Sequence, residues 1–285
     1  VIHYHDIGDY LSREEKLKII AKFTSLANPE MKWVTLQPNE QGDWLNQRNE
    51  KFDTFISMAP DKKFDLKTQS FFNTYAVGVN TSRDSWIYNF SKKNLKSNMS
   101  SMIAFYDSQR VTYQKATVKN PKLKVEDFVD PNPKKISWSR SLREDVQSNV
   151  VHGFEQTSLR ISSYRPFCQQ NVYFNKDFNE AIGLSPKLFP NPDVENLVIC
   201  ISGAGGSNEF TVLMTNCIPD FHLNGATQAF PLYYYEEQDK QSPTLFDFAN
   251  QTNRNFIRRD GVSDFILDRA KQQYGKNVTK EDIFY

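Results

Sequence analysis

The spacing of apolar and polar positions divides the chain into three stretches of different character. An alternating, strand-like Val-Ile-His-Tyr-His-Asp-Ile opens it, and Ser12-x-x-Glu15 then predicts a helix start by reciprocal capping. Leu17, Ile20 and Ala21 place apolar groups on one face of that helix, and Asn28-Pro29 ends it. A short strand is expected around Trp33–Leu36, followed by polar residues from Pro38 to Asp43, Trp44, and a lysine-rich stretch with little periodicity. Residues 31–70 therefore read as a connector.

The middle of the chain carries a helical period. Tyr75–Val79 and Trp86–Tyr88 read as strands around the polar turn Asn80–Asp84. Ser91 is placed to cap a long helix whose apolar stripe is Leu95, Met99, Met102, Ile103, Tyr106 and Tyr113, at the spacing of one buried face. Lys119–Pro133 reads as a proline-bearing loop and Ser141–Gln147 as a short helix. In the last third the period shortens. Leu159–Ser162, Asn171–Phe174, Leu197–Ser202, Phe210–Thr215 and Phe230–Tyr235 are rich in β-branched and aromatic residues and bounded by Gly, Pro and Asn. Ser263 caps a final helix closed by Gly275. The expected class is α+β: a strand-helix unit at the start, a helical middle, and a twisted, mainly antiparallel sheet in the last third.

Composition narrows the possibilities. With 285 residues, 39% of them hydrophobic and 14% aromatic, the chain has the means to bury a substantial core. A mean hydropathy of -0.62 and the lack of a long uncharged apolar run argue against a membrane span. Cys168, Cys200 and Cys217 are odd in number and lack metal-ligand spacing, which fits a reducing cytoplasm. The start on Val1 and the end at Tyr285, one turn after the helix-start pattern Thr279-x-x-Asp282, predict an internal piece of a longer chain.

The net charge of +1 conceals an asymmetry. Between Ser91 and Arg143 stand twelve Lys and Arg against four acids, a local +8 that leaves -7 elsewhere. A phosphate-facing surface needs such a distribution, and a solvated helix face beside a basic loop would also produce it.

Catalytic motifs are missing. Adenine methylation uses an Asn-Pro-Pro-Tyr type of motif that holds and stacks the flipped base. None of Asn28-Pro29, Asn120-Pro121, Asn132-Pro133 and Asn191-Pro192 continues in that way. No phosphate-binding Gly-x4-Gly-Lys-Ser/Thr occurs. The glycine-rich run Gly203–Asn208 follows a strand, but the residues after it read as another strand where a dinucleotide loop would open a helix. A turn that approaches another backbone closely is the better reading. His3-x-His5 has no acidic or cysteine partner nearby, and His222 beside Asp220 lacks a nucleophile, so no metal site and no catalytic centre are expected.

Four stretches, in order, resemble the C-terminal region of Type ISP restriction-modification enzymes and their close relatives among predicted helicases. Ile2–Tyr10 with Arg13–Leu17 resembles the last strand and helix of an adenine methyltransferase domain. Gly78-Val79-Asn80-Thr81-Ser82-Arg83-Asp84-Ser85-Trp86 resembles the opening of the recognition domain, Ser163-Tyr164-Arg165-Pro166-Phe167 its signature, and Phe230–Tyr235 a segment near its end. The family commonly carries Asp and Arg where this chain has Cys168 and Gln170. Arg165 is therefore open to two readings, a base contact or a buried arginine meeting backbone carbonyls.

The resemblance implies three regions: the methyltransferase tail over 1–30, a connector over 31–70, and a target-recognition domain over 71–285 that continues past Tyr285. It implies sequence-specific recognition of double-stranded DNA, with no catalysis and no cofactor in this part of the chain. The parent would use S-adenosylmethionine, ATP and magnesium for adenine-N6 methylation and for DNA translocation and cleavage. Its methyltransferase and helicase regions would be partners within the same polypeptide. Recognition requires cations for phosphates and polar groups for base edges. The candidates are Thr81, Ser82 and Arg83; Lys134, Lys135, Ser137, Ser139, Arg140, Ser141 and Arg143; Arg165; and Gly203, Gly205, Ser207 and Asn208. For the hydroxyl residues, helix capping and turn formation are equal alternatives. The competing function is a non-catalytic module that docks the methyltransferase onto the helicase, which would present an apolar patch in place of a basic concave surface.

Overall fold

The computed structural model describes residues 2–40, 42–45, 51, 54–60, 69–203, 209–237 and 256–285. The chain separates into two compact units, Val1–Phe55 and Ile56–Tyr285.

In the first unit, β1 (Ile2–Tyr4) pairs antiparallel with β2 (Val34–Leu36) in the register Ile2 to Leu36. Between them runs α1 (Arg13–Phe23). Its start is the expected capping box: the Ser12 hydroxyl accepts from the Glu15 amide, and the Glu15 carboxylate accepts from the Ser12 amide at 2.8 Å. The helix buries no residue of its own, and Leu17 and Ile20 stand 54% and 57% exposed. His3 and His5 have separate partners. His3 meets the Thr35 hydroxyl, while His5 meets the Lys32 carbonyl and lies edge-on to Phe23.

The second unit is built around α3 (Lys92–Lys119), a helix of 28 residues. Ser91 caps it, accepting from the Asn94 amide, and the six predicted stripe residues are its buried ones. They pack with Leu142 and Val146 of α5 (Arg140–Gln147) and with Val172 and Tyr173 of β6 (Cys168–Tyr173). At about 1.5–3 kcal/mol for each fully buried large side chain, this stripe is a principal source of stability in the unit.

Two four-stranded sheets lie in this unit. One runs β4 (Tyr88–Asn89), β6, β5 (Leu159–Arg165), β9 (Ile218–Pro219), with β5 and β9 parallel and the other pairs antiparallel. The other runs β3 (Ala76–Val77), β10 (Gln228–Pro231), β7 (Val198–Ile201), β8 (Val212–Thr215), all antiparallel. A ribbon of β11 (Tyr233–Glu237) and β12 (Phe256–Asp260) leads to α7 (Asp264–Tyr274) and α8 (Lys280–Phe284). Short helices α2 (Asp84–Ile87), α4 (Val125–Phe128) and α6 (Ser185–Leu188) complete the chain.

The α+β class and the mainly antiparallel pairing agree with the sequence reading, and three local expectations are corrected. Trp86 and Ile87 belong to helix α2, and only Tyr88 of the predicted strand is extended. The turn chemistry overrides β-propensity there: the Thr81 hydroxyl holds the Asp84 carboxylate, and the amides of Trp86 and Ile87 turn back onto the Arg83 carbonyl. The expected loop Lys119–Pro133 contains α4, whose Val125 is buried. The strands of the last third divide between two sheets, and each sheet takes one edge strand, β3 or β4, from before the long helix.

Among the described residues, no helix is long and apolar enough to cross a membrane, and no group of three or more His, Cys, Asp or Glu is placed to hold a metal ion.

Candidate nucleic-acid interface

The charged surface begins on the outer face of α3. Once the apolar stripe faces inward, the helical period forces Lys92, Lys93, Lys96, Lys115 and Lys119 outward, and all five are exposed. Lys122, Lys124 and Lys134 continue the surface along the following segment, also exposed. None of these eight lysines has an ion pair among the described residues. Three other cations are already engaged: Arg110 Nη2 lies 2.8 Å from Asp107, Lys135 Nζ lies 2.8 Å from Asp130, and Arg140 Nε lies 2.7 Å from Glu144. Arg143 is half-buried and unpaired among the described residues.

The serines of this segment have structural partners. Ser139 caps α5, accepting from the Leu142 amide at 3.3 Å, and shares a hydrogen bond with the exposed Ser141 hydroxyl at 2.8 Å. Ser137 is half-buried in the turn before that cap. Any contact of Ser139 with a phosphate therefore competes with its capping bond.

Arg83 and Thr81 face the interior. Arg83 is 3% exposed, and its guanidinium donates to the Phe178 carbonyl. Burial holds its pKa down to about 10. As folded, Arg83 presents no donor outward to a base edge. Thr81 is consumed by Asp84 and by the Arg83 amide. Ser82 alone of the three is exposed, at φ 52°, with its amide on the Asn80 side chain.

Arg165 sits at the centre of a cluster of ionic and aromatic groups. Its Nη1 donates to Asp220 at 2.7 Å and to the Tyr164 carbonyl at 2.6 Å, and its Nη2 lies 3.4 Å from Asp84. The guanidinium carbon lies 3.8 Å from the centre of the Tyr164 ring. Tyr88 donates to the other Asp220 oxygen at 2.9 Å, and Tyr164 donates to Asp84 at 3.1 Å. Burial is the largest influence on Asp220 and raises its pKa, against the His222 amide, Tyr88 and Arg165, which stabilise the carboxylate. The partners of Arg165 thus include two carboxylates that spacing did not reveal, because they come from α2 and from the segment after β9.

The close backbone approach expected at the glycine-rich run is present at its first residue. Gly203 donates to the Gly225 carbonyl at 3.1 Å, and a Cβ there would stand 2.1 Å from the Ala226 carbonyl oxygen. Gly205, Ser207 and Asn208 lie outside the described residues.

Sequence reasoning missed a concavity of about 980 Å³ whose lining includes Lys92, Arg160, Asn216, Tyr233 and Arg258. Arg160 is anchored there on the Phe189 and Asn191 carbonyls, with burial holding its pKa down to about 10. Arg258 lies over the Tyr233 ring at 4.3 Å. Arg160 stood inside an expected strand, Leu159–Ser162, whereas no element was expected around Arg258, which the structure places in β12. The two arginines come from different sheets, nearly one hundred residues apart in the chain.

Comparison with known proteins gives a consistent result. The Type ISP C-terminal specificity domain matches residues 70–285. The chain is similar to a nuclease-deletion mutant of the Type ISP restriction-modification enzyme LlaGI, solved with a DNA substrate mimic, at 30% identity and a TM-score of 0.68 over 92% of this chain. It is similar to LlaBIII, an ATP-dependent Type ISP restriction-modification enzyme bound to DNA, at 29% identity and a TM-score of 0.71 over 99% of this chain. The DrdV–DNA complex matches with 26% identity and a TM-score of 0.75, again over 99%. The chain spans only 19%, 17% and 26% of those three chains. No curated protein matches it. With three quarters of its length in the matched region, the chain belongs to the Type ISP C-terminal specificity domain family.

Proposed function

We propose that this chain recognises the DNA target of a single-chain restriction-modification enzyme. The observation that carries the reading is its likeness, over 92–99% of its length, to enzymes solved with DNA. The row of exposed lysines on α3 and beyond, none of them in an ion pair among the described residues, supplies the cations that would hold phosphates. In this reading the bases are read by polar groups on neighbouring loops, and no chemistry is assigned to this part of the polypeptide. Adenine-N6 methylation and ATP-dependent translocation and cleavage belong to other regions of the parent, which would bind S-adenosylmethionine, ATP and magnesium.

The first unit has a different task in the same reading. A strand-helix-strand piece whose helix buries nothing and exposes Leu17, Ile20, Leu26 and Val34 needs further apolar cover. We assign residues 1–30 to the tail of the methyltransferase domain, which would provide it. That observation keeps docking within the polypeptide as a second role beside DNA recognition.

The test is an exchange. Residues 70–285 replaced by the matching region of LlaGI should move adenine methylation of host DNA to a different site, read by methylome sequencing. An unchanged site in an active chimera overturns the assignment.

A further inference from the structure

The hairpin of β5 and β6 closes with Arg165 opposite Cys168, leaving Pro166 and Phe167 as its two-residue tip. Three observations at Phe167 stand together. The residue is about as exposed as in a free peptide, at 98%. Its φ is 59°, in the left-handed region that a turn with proline at its first central position usually fills with glycine. Among the described residues its ring has no aromatic, cationic or hydrogen-bonding partner, in contrast to Tyr164 three residues earlier. The backbone favours glycine and the side chain gains little from the folded unit. A phenylalanine in this position therefore points to a contact outside it.

The hairpin is built to hold that tip still. Arg165 is tied to Asp220 and Asp84, and the Tyr164 ring lies against Tyr88 with centroids 4.5 Å apart. The register shift between Ser163 and Arg165 turns the last residues of β5 away from the plain ladder. From Leu159 to Tyr173 the hairpin contains no acid, so nothing on it repels a polyanion. A rigid, acid-free ribbon ending in Pro-Phe has the form of an apolar wedge that separates stacked base pairs.

We propose that Phe167 inserts between adjacent base pairs of the bound duplex, with the Arg165–Asp220–Asp84 clamp holding it in position. This rests on the DNA-recognition reading above and adds to it a stacking contact that is independent of phosphate charge.

The test uses the full restriction-modification polypeptide and a 30-base-pair duplex that it selects from a random-sequence pool, scanned with 2-aminopurine. Wild type should brighten 2-aminopurine at one base step other than the adenine that the methyltransferase flips. Phe167→Ala and Phe167→Gly should abolish that signal and weaken binding about tenfold, as loss of one stacked base contact does, with the salt slope unchanged. Phe167→Trp should keep it. Phe167→Gly should melt no lower than wild type because it relieves the positive φ, so a folding defect cannot imitate the result. If wild type selects a duplex and Phe167→Ala binds it equally with the same fluorescence, the wedge is overturned while DNA recognition stands. The same binding with a lowered melting temperature overturns it in favour of docking within the polypeptide. If wild type selects no duplex at all, the recognition reading fails and takes the wedge with it.

Discussion

Arg165 and Asp220, 55 positions apart, meet through a 2.7 Å hydrogen bond that ties the β5–β6 hairpin to the segment after β9. Asp220 is the buried member, with its side chain 2% exposed against 35% for Arg165. Removing the arginine strands a buried carboxylate, whereas removing an exposed partner would cost little. Arg165→Ala is expected to destabilise the second unit by about 3 kcal/mol, near the lower end for a broken buried pair because the arginine is partly solvated. Arg165→Lys should recover little, since an ammonium cannot serve two carboxylates and lie flat on Tyr164 at once. Urea unfolding measures both, and a loss below about 0.5 kcal/mol, the level of an ordinary surface change, would remove the structural role.

Ser139 gives a prediction that separates capping from phosphate contact. Ser139→Ala is expected to lose about 1 kcal/mol of stability through the α5 cap. Ser139→Asp should keep that stability, because aspartate caps as well and its charge suits a helix start. If DNA phosphates approach this end of α5, the same aspartate lowers affinity. Thermal melting and fluorescence anisotropy read the two effects separately. Equal affinity for wild type and Ser139→Asp would place the phosphates elsewhere.

Local signals were legible in the sequence and long-range ones were not. The α3 stripe was readable because a period of 3.6 fixes a helix's buried face wherever it docks, and the Ser12, Ser91 and Ser263 caps were readable because a cap acts within three residues. The basic surface followed from the same period. Trp86 and Ile87 were misread because the polar turn Asn80–Asp84 was expected to lead into a strand, whereas the amides of Trp86 and Ile87 turn back onto the Arg83 carbonyl and open a helix. The inward position of Arg83, the carboxylates on Arg165 and the cleft with Arg160 and Arg258 depend on pairings such as β5 with β9 and β3 with β10, whose partners spacing does not reveal.

Gly78 is expected to tolerate no side chain. Its amide donates to the Thr227 carbonyl at 2.9 Å, and a Cβ there would stand 2.4 Å from the Asp220 carbonyl oxygen and 2.7 Å from the Phe221 nitrogen. Backbone atoms held by their own hydrogen bonds cannot swing aside as a flexible side chain does. Gly78→Ala should therefore destabilise by about 2 kcal/mol or more through overpacking. It should also disturb the Asp220 end of the Arg165 clamp. A melting temperature within 1 °C or so of wild type, where about 2–4 °C per kcal/mol is the scale for a unit of this size, would contradict the close approach.

The paired and unpaired cations predict different salt dependences. Lys134 and Arg143 have no acidic partner among the described residues, so each is available to replace a condensed counterion on a phosphate. Arg140 is held by Glu144 at 2.7 Å, four residues on, and must leave it to do the same. Lys134→Ala with Arg143→Ala should weaken binding to every duplex alike and flatten the slope of log affinity against log salt by about 1.8, at 0.9 for each lost contact. Arg140→Ala with Glu144→Ala removes a cation and an anion together and should leave that slope where it was. The two double variants also differ in what they threaten. The first removes charge without an ion pair among the described residues, and the second removes a solvent-screened surface pair that contributes little, so neither should unfold the unit. Titrations at several salt concentrations with the full polypeptide provide the measurement. An unchanged slope for Lys134→Ala/Arg143→Ala would dismiss this segment as the phosphate anchor and move the search to the Lys92, Arg160 and Arg258 cleft.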